Sequence, residues 1–132
     1  MPRRTSPDPL ALAVGSRIRQ LRLERGLTAE SLAFSGELSS KGFVSDIEKG
    51  LAMPSLTSLR AIANVLGVAL LDLVTFPSDD ERQALVDRTR HLPKGAVRKL
   101  LKEFAGQPPM PMAANPRAKP ATLVRKSSRR RG

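Results

Sequence analysis

The chain has 132 residues, with 23 Lys plus Arg against 12 Asp plus Glu, a single histidine and no cysteine, for a formal net charge of +11. That length suits one small domain with segments to spare. The missing cysteines exclude disulfides, thiolate catalysis and cysteine-ligated zinc. Charge is unevenly spread: residues 10–76 carry seven basic and six acidic side chains, whereas residues 106–132 carry seven basic and none acidic. Clustered cations of that kind favour a polyanionic partner through counterion release.

Residues 1–9 hold three prolines and are read as a flexible arm. Arg3 and Arg4 are not followed directly by an apolar h-region, so no signal peptide is expected. From Leu10 the pattern turns helical, with Val14, Ile18, Leu21 and Arg25 on one stripe and Gly26 as the stop. Thr28 can cap a second helix, with Glu30 in its positive first turn and Leu32 and Ala33 facing inward. Gly36 marks the break. Either Ser39 or Ser40 can cap a third helix that buries Val44 and Ile47 and ends at Gly50. Ser55 caps a fourth, with Leu56, Leu59, Ile62, Ala63 and Leu66 inward and Gly67 closing it. Leu70 to Val74 form a short fifth helix.

Ser78 followed by Asp79, Asp80 and Glu81 predicts another helix start, a cap and then acids facing the dipole. That helix runs to about Leu92, and Pro93 restarts a further one with Ala96, Val97, Leu100, Leu101 and Phe104 as its apolar stripe. Residues 77–105 thus read as a helical hairpin and a candidate dimerisation element. The segment 106–132 shows no periodicity and reads as a disordered basic tail. Val65 to Phe76, the longest apolar stretch, is interrupted by Asp72 and too short to span a membrane. A cytoplasmic, nucleoid-associated protein is expected, with no membrane partner.

Between Thr28 and Gly50 lie two short helices joined by a glycine-bearing turn, an arrangement that can lay the second helix into a DNA major groove. In order, the chain reads IRQLRLERGLT, SLA, VSDIEKG and PSLTSLRAIANVLGV. Residues 14–76, about half the chain, resemble the Cro/repressor (Xre-type) helix-turn-helix family on these motifs. The resemblance implies an all-α fold: a five-helix lambda-repressor-like domain over 10–76, followed here by the two-helix extension and the tail. It further implies double-stranded DNA as partner, bound by a homodimer on pseudo-palindromic sites, with the third helix as reader.

Carried over residue by residue, the resemblance makes Lys41, Gly42, Phe43 and Asp46 the base-reading candidates. Lys41 has the chemistry to donate to guanine. Phe43 could pack on a thymine methyl or in the protein core, and Asp46 could accept from cytosine or bond within the protein. Ser39, Ser40, Lys49, Arg17 and Arg19 are the backbone candidates, and Arg22 with Glu48 is the implied structural ion pair. Arg125, Lys126, Arg129, Arg130 and Arg131 are candidates for nonspecific grip by the tail. Two positions depart from the family: Ala29 stands where glutamine is common, and the spacing from Ala33 to Glu48 is one residue longer, with the extra residue between Ser35 and Leu38.

No nucleophile–base set, phosphate loop or metal cluster is evident, so neither enzyme activity nor a cofactor is expected. His91 lacks carboxylate or cysteine partners at ligand spacing. Two other functions fit the same features: an antitoxin or adaptor holding a partner protein, and a nucleoid-type binder driven by the tail.

Overall fold

The computed structural model describes residues 5–108. Seven helices follow one another, and no strand occurs among the described residues. They are α1 (Pro9–Glu24), α2 (Ala29–Ser35), α3 (Lys41–Glu48), α4 (Leu56–Leu66), α5 (Leu70–Leu73), α6 (Glu81–Thr89) and α7 (Lys94–Ala105).

Most boundaries follow from local chemistry. Thr28 Oγ1 accepts from the Ser31 amide at 3.0 Å, and Ser55 Oγ from the Ser58 amide at 3.1 Å, each satisfying one orphan donor of a first turn. Two starts differ from expectation. Asp8 caps α1, its carboxylate accepting from Leu10 and Ala11 at 3.0 and 3.1 Å, and Pro9 is the first helical residue. Proline is preorganised for that position, so the helix reaches into the expected arm. At α6 the cap is Asp80, not Ser78: Asp80 accepts from the Gln83 amide at 2.8 Å, and hydrogen bonds from the Gln83 side chain and backbone hold its carboxyl below the usual range.

Val14, Ile18, Leu21, Leu32, Val44, Ile47, Leu59, Ile62, Leu66 and Leu73 meet in one buried cluster drawn from α1 to α5. Each fully buried aliphatic side chain contributes about 1.5–3 kcal/mol by leaving water. Leu56 is not among them. It is 74% exposed, because it stands in the first turn of α4 at the margin of the stripe centred on Leu59, Ile62 and Leu66.

The crossing of α1 over α3 is unusually close, and two glycines permit it. A Cβ on Gly15 would lie 1.9 Å from the Ile47 carbonyl oxygen. Gly50, at φ +74°, would place a Cβ 2.8 Å from Leu12 Cα, in a backbone region that L-residues rarely enter.

α6 and α7 bury no residue. α6 is held to the domain by polar contacts: Asp87 pairs with Arg17, Arg90 with Glu24 at 2.9 Å, and Gln83 accepts from the Phe76 amide at 2.7 Å. On α7, Leu101 and Phe104 are 66% and 58% exposed, so the expected apolar stripe has no cover over its distal half among the described residues.

Candidate nucleic-acid interface

Ser40, rather than Ser39, caps the third helix, its Oγ accepting from the Phe43 amide at 3.1 Å. The preceding turn explains how the extra residue is absorbed. The Leu38 amide donates to the Ala33 carbonyl at 2.9 Å and the Glu37 amide to the Phe34 carbonyl at 3.2 Å, the paired bonds of a Schellman stop. Glycine is usual at the left-handed position of that motif. Here it is Glu37, at φ 51°, while Gly36 sits one residue earlier. Leu38 then turns inward against the core, and both serines are left exposed at the entrance to α3.

On α3 the buried residues are Val44 and Ile47. At about 100° per residue, positions 42, 45, 46 and 49 fall on the opposite face, spaced i, i+3, i+4, i+7. Gly42 and Lys49 are exposed, Ser45 and Asp46 half-buried, and Lys41 is exposed at the helix's first residue. With a rise of about 1.5 Å per residue, Lys41 and Lys49 lie about 12 Å apart along the axis, a cation at each end of α3. Ser45 was absent from the expected set, although its place three residues beyond Gly42 on a helix marks it. Phe43 does not share this face: it is half-buried and packs against the core cluster.

α3 is fixed from behind by one ion pair. Arg22 Nε and Nη2 donate to the two Glu48 oxygens at 2.6 and 3.1 Å, and Nη1 donates to the Leu27 carbonyl at 2.7 Å. The hydrogen bond to Glu48 raises the Arg22 pKa above its usual value despite burial. A guanidinium fork on a carboxylate is directional as well as strong, so α1, the α1–α2 loop and the end of α3 are held in one geometry.

The remaining backbone candidates separate. Arg19 is exposed and shares a shallow groove with Leu12, Ser16, Leu23 and Lys49. Arg17 is not on this surface. It is 3% exposed, its Nε donating to the Asp72 carbonyl at 2.9 Å and its other nitrogens to Gln20 and Asp87. Its donors are spent tying α1 to α5 and α6, which corrects the expectation of a DNA contact. Arg125, Lys126, Arg129, Arg130 and Arg131 lie outside the described residues. Among the described residues, no group of three or more His, Asp or Glu could hold a metal ion, and no helix is long and apolar enough to cross a membrane.

The Helix-turn-helix family profile matches residues 18–73. The chain is 38% identical over 72 residues to the HTH-type transcriptional regulator DdrOP3 of Deinococcus deserti, covering 52% of this chain and 55% of that protein, so it spans about half that relative's length. It is 37% identical over 68 residues to the control protein C.BamHI of Bacillus amyloliquefaciens, covering 51% of this chain and 83% of that protein. Among solved structures it is similar to a SinR protein/SinI protein complex, with a TM-score of 0.51 and 30% identity over 70% of this chain and 94% of the matched chain.

Proposed function

Because this chain belongs to the Xre-type helix-turn-helix family of transcriptional regulators, we propose that it binds double-stranded DNA sequence-selectively, as a homodimer on a pseudo-palindromic operator. The observation that carries this reading is the outward face of α3. Gly42, Ser45, Asp46 and Lys49 face away from the core, Lys41 opens the helix, and Arg22–Glu48 braces the far side. Lys41 and Ser45 would read base edges, while Ser39, Ser40, Lys49 and Arg19 would meet phosphates and set register. Two readers would enter successive major grooves about 34 Å apart. The seven cations of residues 106–132 would add nonspecific, salt-sensitive grip.

The test is selection of bound sequences from random duplex DNA at physiological salt, with the wild type and Lys41→Ala. A palindromic motif that Lys41→Ala relaxes supports the reading. Recovery of no motif, with binding that vanishes as salt rises, defeats it in favour of a tail-driven binder.

A second reading involves a partner protein. The exposed Leu101 and Phe104 on α7, together with likeness to a structure described as a two-protein complex, favour a heterologous partner covering the hairpin. Co-purification of a stoichiometric second protein in place of a self-dimer would select it.

A further inference from the structure

We infer that Gly42 is the point at which the backbone of α3 comes closest to DNA, its missing Cβ leaving room for the edge of a base pair; this rests on the reading of α3 given above. The argument comes from what the glycines do inside the chain. Six lie between residues 10 and 76, and five are explained internally. Gly26, Gly50 and Gly67 have φ of +65°, +74° and +65°, a region favouring glycine. A Cβ on Gly15 would strike the Ile47 carbonyl, and one on Gly36 would lie 3.0 Å from the Leu32 carbonyl oxygen and 3.3 Å from Leu38 Cγ.

Gly42 has neither reason. It lies within α3, its φ is not left-handed, and a Cβ there would meet only Ser40 Oγ at 3.5 Å, an ordinary contact. Alanine would therefore fit the free protein and favour the helix, since glycine is the poorer helix former. Among the described residues nothing calls for a bare backbone at position 42, as nothing does at Gly95 of α7; what sets position 42 apart is its place on α3. Position 42 is where an outside demand would act: it is exposed, one residue from the capped start of α3, on the same face as Ser45 and Lys49. Glycine allows backbone to approach a ligand closely, and a base edge or its thymine methyl in the major groove would fill the open space.

The experiment compares wild type, Gly42→Ala and Gly95→Ala as full-length chains, by thermal unfolding and by binding to wild-type-selected duplexes. Gly95 is the control, because it too is the second residue of a helix and a Cβ there meets nothing within 4 Å, but it lies on α7. The expected result for Gly42→Ala is a Tm raised by about 2–5 °C with affinity for the selected site reduced at least about tenfold. Its own selected motif would lose preference at one symmetric position per half-site. Gly95→Ala should bind within about twofold of wild type. Three results would overturn the inference: wild-type affinity in Gly42→Ala, a lowered Tm showing that the glycine is needed within the chain, or a loss of affinity uniform over all sequences. Failure of the underlying reading is recognised separately, since the wild type itself would then select no motif, and the inference falls with it.

Discussion

Arg22 and Glu48 stand 26 positions apart in the chain and meet through two hydrogen bonds, at 2.6 and 3.1 Å, with side chains only 11% and 9% exposed. The third donor group of the same guanidinium holds the Leu27 carbonyl. One side chain thereby sets where α3 lies against α1.

Arg22→Ala is expected to lower unfolding stability by about 3 kcal/mol, because Glu48 is left charged, largely buried and unpaired. Arg22→Lys should recover only part of this, since an ammonium cannot grip both oxygens and the carbonyl as a planar fork does. Urea unfolding of the three proteins checks the order. A lysine variant as stable as wild type would refute the geometric account.

Gly15→Ala should cost about 3 kcal/mol or more, since the added methyl would sit 1.9 Å from a backbone oxygen that cannot rotate away. The helix itself would gain from alanine, so even the sign of the change distinguishes the two effects. Chemical denaturation measures it directly.

Glu37→Gly should stabilise the protein by about 1 kcal/mol, because it removes the penalty of a side chain at φ 51° in the turn between α2 and α3. The added freedom of glycine in the unfolded chain offsets part of the gain. A rise in the urea midpoint with unchanged slope is the expected observation.

The docking of α6 should weaken in acid. Burial pushes the Asp87 carboxyl up, but hydrogen bonds and charge from Arg90 and Arg17 outweigh it and leave the pKa below the ordinary 3.8. A carboxyl depressed in the folded state contributes stability that is full above its unfolded pKa and is lost as pH falls through the folded one. The stability difference between wild type and Asp87→Asn should thus be constant at neutral pH and shrink below about pH 4. Thermal unfolding across that range tests it; a difference that grows on acidification would reverse the assignment.

Replacing Leu101 and Phe104 together by glutamate should leave the fold intact, since both are already more than half exposed, while abolishing self-association if α7 covers itself in a dimer. Light scattering of wild type and variant gives the answer, and an unchanged dimer would move the interface to the exposed Leu71 of α5 and Val74 just after it.

Legible along the chain were the helical class, five of the seven helix starts nearly to the residue, and the core-facing stripes of α2, α3 and α1, apart from Arg25, which is exposed at the end of α1. Those features rest on hydrogen bonds and side-chain spacings within about four residues, which a linear reading contains. The rest depended on partners distant in the chain. Arg17 looked like a surface cation until Asp72 and Asp87, 55 and 70 positions away, took its donors. Gly15 carries no local signal, because the Ile47 carbonyl that demands it belongs to another helix. Phe43 was open between groove and core until packing of α3 turned it inward. Ser45 falls on the face of α3 turned from the core because Val44 and Ile47 fix the rotation of that helix. Local propensity writes each helix, but only the crossing of helices selects which polar groups are consumed inside and which remain to meet a ligand.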